Sequence, residues 1–320
     1  MEKTFKTRSK IAVFCNGKQI STYKFDNIRE INDYLIAYNS TSFTIYDSNG
    51  NLVLCKKLII ESFFNDYFVV SKNGYKGMYK FDGTLIVPIK FDDVVFNYNY
   101  KKILVKKDKL YGVYSHDGTL IVPIEFDDVV LYDDSILVEK NTFSGLYSYD
   151  GTLIVPIEFD NIYLYEEGIE IIKDLLSGAY SYNGTLILPI EFDGIDFNKE
   201  GISVEKDNLW GAYSYDGTRI VPIEFDDIDF YNEGIRVEKD NLLGVYSYDG
   251  TLIISVEFDD IDFYNEGIKV TKDDLFGIYS YDGTFIVPAE FTDIFITKTG
   301  IIELQKVENG PYEVYTPQQN

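Results

Sequence analysis

The chain has 320 residues, with 29 Lys or Arg against 53 Asp or Glu, and a net charge of −24 at neutral pH. A charge of this sign and size repels phosphate groups, so we expect no direct binding to nucleic acid. Two cysteines and one histidine provide neither a disulfide framework nor the ligands of a zinc site or a histidine-based triad. The N-terminal segment has no long apolar run, so we expect neither a signal peptide nor a membrane span, and we expect a cytoplasmic location. We also expect no cofactor.

An Asp-Gly or Asn-Gly pair recurs along the chain, with a Phe eight residues after each glycine. Successive glycines are 33 residues apart, except for one interval of 35. The glycines are Gly83, Gly118, Gly151, Gly184, Gly217, Gly250 and Gly283. The same spacing counted backwards reaches Gly50 and Gly17, which mark two divergent repeats. Nine repeats indicate a single array, although the length alone would suggest two domains.

Each repeat has the pattern of four short β-strands. Around Gly217, "GAYSY" leads into the Asp-Gly turn and "TRIVPIEF" leads out of it, while "DDIDFY" and "IRVEKDN" flank "NEG". The abundance of Tyr, Phe, Ile and Val favours strands, and no window predicts a helix. We predict a two-residue type I′ turn at Asp-Gly and a left-handed glycine in "NEG". The fold class is therefore all-β.

A proline stands five residues after the turn glycine in most repeats. These prolines are Pro88, Pro123, Pro156, Pro189, Pro222 and Pro288. Because proline cannot donate to a strand ladder, the strand that contains it is predicted to be an edge strand or to bend there.

Trp210-Gly211, the hairpin turn, "IVP" and the aromatic-Asp pair together resemble the bacterial WG-repeat (KWG-type) proteins. The resemblance extends from about Tyr75 to Asp293 and is weak in the first two repeats. Only one repeat has the Trp, and the others place Tyr, Ser, Leu, Phe or Lys before the glycine. The resemblance implies a β-hairpin repeat and no established chemistry.

We predict that tandem antiparallel repeats of about 33 residues form an open superhelical, solenoid-like array, with a closed β-propeller as the alternative. The expected division is 1–60 as two divergent N-terminal capping repeats, 61–300 as regular repeats, and 301–320 as a C-terminal capping strand and tail. All three belong to one continuous array.

Carboxylates flank the Phe in nearly every repeat, but no two are set apart from the rest. Since a glycosidase needs two carboxylates in different environments, we predict no catalytic residue among them. We interpret the Asp after each Phe as starting a turn and accepting a backbone N–H two residues on. A repeated calcium site is the alternative, although neither EF-hand nor nonapeptide spacing is present. His116 occupies a Tyr position and is interpreted as a substitution.

A tyrosine lies four residues before each turn glycine. This column consists of Tyr79, Tyr114, Tyr147, Tyr180, Tyr213, Tyr246 and Tyr279. Equivalent positions of a repeat stack, so we expect a ladder that forms core between repeats or, if exposed, holds sugar rings.

The interval of 35 residues contains two extra residues within "FNYNYKKILVKKDKLYG". Five lysines cluster there in an otherwise acidic chain: Lys101, Lys102, Lys106, Lys107 and Lys109. Longer loops of unusual charge often carry function, so this cluster is the first candidate interaction site, with tolerated drift as the alternative. Trp210 is the second candidate, although a half-exposed packing position is the simpler interpretation.

The leading hypothesis is a non-enzymatic scaffold or adaptor that binds another protein through an acidic, aromatic-rich repeat surface. One alternative is an acidic decoy or inhibitor of a basic, nucleic-acid-binding protein, whose binding would weaken steeply with salt. The other is a glycan or cell-wall binding module. No membrane partner is expected.

Overall fold

The computed structural model describes residues 5–7, 10–15, 18–19, 21, 24–265, 267–296, 302–306 and 310–315. Its regular elements are all β-strands. They are β1 (Phe5–Thr7), β2 (Lys10–Ala12), β3 (Phe14–Cys15), β4 (Lys18–Gln19), β5 (Asn27–Ile31), β6 (Tyr34–Tyr38), β7 (Phe43–Asp47), β8 (Leu52–Lys56), β9 (Ile59–Phe63), β10 (Tyr67–Lys72), β11 (Tyr75–Lys80), β12 (Leu85–Phe91), β13 (Asp93–Asn97), β14 (Lys102–Lys107), β15 (Leu110–Ser115), β16 (Leu120–Phe126), β17 (Asp128–Leu131), β18 (Ser135–Lys140), β19 (Phe143–Ser148), β20 (Leu153–Phe159), β21 (Asn161–Leu164), β22 (Ile169–Lys173), β23 (Leu176–Tyr180), β24 (Leu186–Phe192), β25 (Gly194–Asn198), β26 (Gly201–Lys206), β27 (Leu209–Tyr213), β28 (Arg219–Phe225), β29 (Asp227–Tyr231), β30 (Gly234–Lys239), β31 (Leu242–Tyr246), β32 (Leu252–Phe258), β33 (Asp260–Tyr264), β34 (Gly267–Lys272), β35 (Leu275–Tyr279), β36 (Phe285–Phe291), β37 (Asp293–Ile296), β38 (Ile302–Gln305) and β39 (Glu313–Val314).

Consecutive strands pair as antiparallel meanders, and each meander is one sheet of a tandem series. From β5 to β36, every four strands in chain order form a four-stranded sheet, and β37–β39 form a three-stranded sheet. β1 pairs with β2, and β3 pairs with β4. The prediction of an all-β fold of tandem antiparallel repeats is confirmed. We number the strands within each sheet as strand 1 to strand 4 in chain order.

The sheets are offset from the repeats of the sequence. A four-stranded sheet ends at the recurring Phe, and the next sheet begins two residues later; β28 ends at Phe225 and β29 begins at Asp227. A sequence repeat that starts before Asp-Gly therefore supplies strands 3 and 4 of one sheet and strands 1 and 2 of the next.

The hydrophobic core lies between successive sheets. In one core layer, Ala212, Val221 and Phe225 from strands 3 and 4 pack with Ile235 and Val237 from strand 2 of the following sheet. Six of the recurring Phe side chains are at most 3% exposed. Burying each one contributes about 1.5–3 kcal/mol, so this column is a main source of cohesion between sheets.

Two of the three hairpin turns of each sheet, the Asp-Gly turn between strands 3 and 4 and the turn between strands 2 and 3, differ in type. In the Asp-Gly turn only the glycine has positive φ, +85° at Gly217, and the Gly217 N–H donates to the Ser214 carbonyl at 3.0 Å. This is a three-residue loop with a type I turn and a left-handed glycine. The two-residue turn with both φ positive lies between strands 2 and 3, at Asp207 (55°) and Asn208 (62°). The predicted type I′ turn at Asp-Gly is wrong. The predicted left-handed glycine of "NEG" is also wrong at Gly234, which begins β30 without positive φ.

The proline column lies on strand 4, which is an edge strand of its sheet and carries a β-bulge. Between Trp210↔Phe225 and Ala212↔Val221, strand 3 has one residue and strand 4 has three, including Pro222. Both predictions from proline, an edge strand and a bend, are confirmed. The bulge pushes strand 4 towards strand 3, where a Cβ on Gly211 would lie 3.0 Å from the Ile223 Cα atom.

The chain forms two compact units, Met1–Glu158 and Phe159–Asn320. Within the first unit, the second divergent repeat supplies β7 and β8 of the regular four-stranded sheet β5–β8. The glycine of the first divergent repeat, Gly17, lies outside the described residues. The division at residues 60 and 300 stays a prediction. Within the described ranges, no helix has the length and apolar character needed to cross a membrane.

Candidate functional site

The five candidate lysines do not lie in one loop but in two groups, one at each end of β14 (Lys102–Lys107). The two extra residues lengthen the turn between β13 and β14, and of the five only Lys101 lies in that turn. Lys102, Lys106 and Lys107 lie on β14, and Lys109 lies in the turn that follows. An extended strand of this length separates its ends by about 17 Å. Their role in binding stays a prediction.

Two of these lysines are engaged within the repeat. The Lys102 ammonium lies 4.0 Å from the centroid of the Tyr149 ring, and burial lowers its pKa. The Lys106 ammonium donates to the Tyr111 hydroxyl at 2.8 Å, and this hydrogen bond raises the pKa of Lys106. The exposed Lys101 side chain is the better candidate for contact with a ligand.

Trp210 is a half-buried residue of strand 3 in the sheet β25–β28. It pairs across the bulge with Phe225 and packs against the core layer that contains Ala212 and Val221. This is the packing position that the simpler interpretation predicted.

The Asp that follows each recurring Phe caps a distant turn. The Asp193 carboxylate accepts a hydrogen bond from the backbone N–H of Asp207, the first left-handed residue of the turn between strands 2 and 3, at 2.6 Å. In five other sheets the equivalent Asp carboxylate accepts the same bond at 2.7–2.8 Å. These residues are Asp92, Asp127, Asp160, Asp226 and Asp259. The predicted bond two residues along the chain is wrong, because the partner lies 14 residues along, or 16 for Asp92. A charge-assisted bond of this kind fixes each sheet to the end of the preceding one.

In several repeats the Glu before the recurring Phe forms an ion pair with a lysine. Lys140 lies 3.2 Å from the Glu125 carboxylate, and Lys206 lies 3.6 Å from that of Glu191. Exposed ion pairs of this type stabilise by less than about 1 kcal/mol each. In the part of the chain that the structure describes, no three His, Cys, Asp or Glu side chains are grouped so that they could hold a metal ion.

The tyrosines four residues before the turn glycine lie in the core between sheets. The Tyr246 ring meets the Phe225 ring of the preceding sheet edge-on, with centroids 5.9 Å apart, and the Tyr114 ring meets Phe91 at the same distance. Edge-to-face contact adds about 0.5–1.5 kcal/mol to the gain from burial. The core interpretation of this column therefore holds, and these rings are not a sugar-binding ladder.

Strands 1 and 2 carry a further position that varies between sheets. On strand 1 of seven successive sheets, a Val or Ile that is at most 9% exposed is followed by a residue whose type changes from sheet to sheet. The residue that follows pairs across to strand 2. We call these seven cross-strand pairs the strand-1/2 face: Val95–Leu104, Val130–Leu137, Tyr163–Glu170, Asp196–Ser203, Asp229–Arg236, Asp262–Lys269 and Phe295–Glu303. Two of the strand-2 members, Glu170 and Ser203, are buried.

The chemistry of this face differs between the two compact units. In the first unit it is apolar, with Val95 50% and Val130 41% exposed. In the second unit it is mainly charged, and the Arg236 guanidinium donates to Asp229 at 2.5 Å. The strand pairing at these positions is the same in each sheet, so the repeat fold itself does not require the side chains to differ.

The family model described as "WG containing repeat" matches six tandem segments: 80–111, 111–141, 145–173, 178–210, 210–242 and 244–271. Together these segments cover more than half of the chain. The chain belongs to the WG-repeat family. Comparison of the sequence with curated proteins finds no match.

Three solved structures similar to this WG-repeat protein share 10–11% identity with it. PorZ of Porphyromonas gingivalis, an essential surface component of the type-IX secretion system, has a TM-score of 0.25 at 10% identity, with 94% of this chain and 55% of PorZ covered. The chain thus spans about half the length of PorZ. A eukaryotic initiation factor has a TM-score of 0.29 at 10% identity, with coverages of 98% and 96%. Hsv2p of Kluyveromyces lactis has 0.26 at 11% identity, with coverages of 80% and 94%.

Sequence reasoning about this WG-repeat protein missed the strand-1/2 face and a cavity beside Lys101. The signal for the face was present, because a comparison of aligned repeats shows a variable position next to an invariant apolar one. The cavity, of about 350 Å³, brings Lys101 together with His116 and with residues of the preceding sheet. Its signal was the coincidence of the two-residue insertion with the single His.

Proposed function

We propose that this protein is a non-enzymatic scaffold that binds a partner protein through the strand-1/2 face. The observation that carries the proposal is that two adjacent positions of strand 1 differ in how much their residue type varies between sheets. The buried column holds only Val and Ile in seven sheets, while its exposed neighbour holds Val, Tyr, Asp and Phe. A surface that varies on a constant backbone is suited to contacting a partner with a particular pattern of side chains.

The apolar part of the face in the first compact unit is the expected centre of contact. Exposed Val95 and Val130, with Leu104 and Leu137 beside them, lie on neighbouring sheets, and stacked sheets are about 10 Å apart. Apolar residues are the usual centre of a protein interface. The remaining acidic surface supports solubility and favours a partner with a complementary basic rim.

The test compares two double variants of the full chain as bait. Val95→Asp with Val130→Asp places on the face the residue type that Asp196 and Asp229 already show at equivalent positions, so folding should be retained. The matched control is Leu120→Asp with Leu153→Asp, in strand 4 of the same two sheets, where the side chains are 44% and 43% exposed.

Proteins captured by the wild type are identified by mass spectrometry, purified and tested singly. We expect a partner that binds the wild type and the Leu variant equally, at low and high salt, and binds the Val variant at least tenfold more weakly. A partner lost at high salt with all three baits would support the acidic decoy instead. Equal binding by both double variants would refute the strand-1/2 face as the contact surface.

A further inference from the structure

Three departures from the repeat occur at one place in the first compact unit. The first is Tyr67, which begins strand 2 of the sheet β9–β12 at the position that Gly201 holds in β26. At Gly201 an added Cβ would lie 2.8 Å from the Tyr213 carbonyl oxygen and 3.2 Å from the ring of Phe230 in the next sheet. The glycine thus allows close contact between the two sheets there, whereas Tyr67 places an aromatic ring at this position.

The Tyr67 side chain reaches into the following sheet. Its ring lies 5.1 Å from the Phe96 ring, centroid to centroid, and its hydroxyl donates to the His116 carbonyl at 3.2 Å. Tyr67 therefore bridges the sheets β9–β12 and β13–β16 at the end that carries the Asp-Gly turns.

The second departure is the longer turn between β13 and β14. Four residues, 98–101, connect these strands, whereas two residues connect β29 and β30. Tyr98 in this turn is 52% exposed, and its ring packs edge-on against Phe96 with centroids 5.1 Å apart. The extra length presents an aromatic ring and the Lys101 ammonium at the same end of the sheet.

The third departure is His116, in the column that is Tyr in the five sheets that follow. In those sheets the tyrosine hydroxyl closes the end of the sheet by donating to a backbone carbonyl of the turn between strands 1 and 2, as Tyr182 does to Tyr165 at 2.6 Å. A histidine at this position replaces the side chain that closes the gap.

The result is a cavity of about 350 Å³ between the ends of the two sheets, lined by these groups together with Asn65 and Asp66. Its volume is near the lower end of the range of about 300–1,000 Å³ for small-molecule sites. The aromatic rings form an apolar wall. The Asp66 carboxylate accepts hydrogen bonds, the Lys101 ammonium donates them, and Asn65 and His116 can do both.

The chemistry of the lining selects among ligand classes. Anions are disfavoured by Asp66 and by the net charge of −24. A purely apolar ligand would bury the polar groups without partners. A sugar ring is uncharged, carries donors and acceptors around its rim, and has an apolar face of C–H groups that packs on an aromatic ring. We propose that this cavity is a saccharide-binding site for one or two pyranose rings.

The test is saturation-transfer NMR on the full chain with cellobiose, maltose, lactose and N,N′-diacetylchitobiose, each at millimolar concentration. We expect transfer to at least one of them. Tyr98→Ala should weaken binding by about tenfold, because it removes the exposed ring. Tyr132→Ala is the matched control, since Tyr132 is 41% exposed in the corresponding turn of the next sheet and should leave binding unchanged.

His116→Tyr is the second variant, and it restores the residue that five other sheets accept, so it should fold. We expect it to fill the cavity and abolish saccharide binding while partner capture by the strand-1/2 face remains. Absence of transfer to all four sugars overturns the proposal. So does equal weakening by Tyr98→Ala and Tyr132→Ala, or wild-type binding by His116→Tyr.

Discussion

The glycine of the Trp-Gly pair, not the tryptophan, is the residue that the fold requires, and Gly211→Ala tests this. An added Cβ would lie 2.7 Å from the Ile223 Cγ1 atom and 3.0 Å from both the Cα and the N of Ile223. Carbon contacts are normally about 3.5–4.0 Å, and backbone atoms cannot rotate away. The two strands would have to separate by about 0.5–1 Å at the bulge, and overpacking of this kind costs about 1–3 kcal/mol.

The matched control is Gly194→Ala in strand 1 of the same sheet. There the nearest atom to an added Cβ is the Glu205 Oε2 atom at 3.8 Å, an ordinary contact, and Asp227 and Asp260 show that the position accepts a side chain. Because glycine weakens a strand relative to alanine, Gly194→Ala should leave stability unchanged or raise it by about 0.5–1 kcal/mol.

The assay is urea unfolding followed by the fluorescence of Trp210, which is the only tryptophan and therefore reports on the sheet β25–β28. A loss of about 2 kcal/mol lowers the ratio of folded to unfolded sheet by about 30-fold and moves the midpoint to lower urea. Equal midpoints for Gly211→Ala, Gly194→Ala and the wild type would refute the argument from close approach.

Three further predictions concern the capping and turn residues of the same sheet, each measured through Trp210 fluorescence. Asp193→Ala removes the hydrogen bond from the Asp207 N–H, so the free energy of unfolding should fall by about 1 kcal/mol, and Asp193→Asn should lose less. Burial raises the pKa of Tyr215 to about 12, and its hydroxyl donates to the Asn198 carbonyl. The stability that this protonated hydroxyl contributes is complete below the ordinary pKa of about 10 and is lost as pH rises to about 12, so Tyr215→Phe should be less sensitive to alkali. The Ser214 hydroxyl, as a hydrogen-bond donor, lowers the pKa of Asp216 to about 2, so its contribution is present above pH 3.8 and is lost as pH falls through about 2. The stability of the Asp216→Asn variant should therefore fall less steeply than that of the wild type as pH drops below 3.8.

Each of these has an outcome that contradicts it. A wild-type urea midpoint for Asp193→Ala would mean that water replaces the carboxylate without cost. Identical alkaline transitions for Tyr215→Phe and the wild type would mean that other tyrosines control the loss of structure. Equal loss of stability at acid pH in Asp216→Asn and the wild type would mean that the Asp216 carboxylate does not contribute to the pH dependence of stability.

The fold could be predicted from the sequence because its determinants are local and repeated. The 33-residue spacing, the alternation of apolar residues and the recurring proline each depend on a few neighbouring positions. The turn types could not be assigned this way, because Asp-Gly suits both a type I′ turn and a three-residue loop, and the bulged register of strands 3 and 4 selects the latter. The bond from Asp193 to a residue 14 positions along depends on how two strands fold back, which no local pattern shows.

The candidate site was predicted least well, for a geometric reason. Lys101 and Lys109 are close in sequence, but a strand between them carries them to opposite ends of a sheet. Tyr67 and His116 are far apart in sequence, and stacking of two sheets brings them together. Proximity along the chain therefore suggested the wrong grouping, whereas departures from the repeat pattern mark the cavity.

The offset between repeat and sheet has a consequence for how proteins of this design change in length. One 33-residue segment supplies strands 3 and 4 of one sheet, strands 1 and 2 of the next, and the buried centre of the core layer between them. Duplicating or deleting a complete segment preserves every kind of interface and alters only how many layers there are. Duplicating or deleting half a segment would instead leave one core layer with strands on only one of its two sides. Growth by whole segments adds one cross-strand pair to the strand-1/2 face each time, so the number of pairs on that face and the number of core layers increase together.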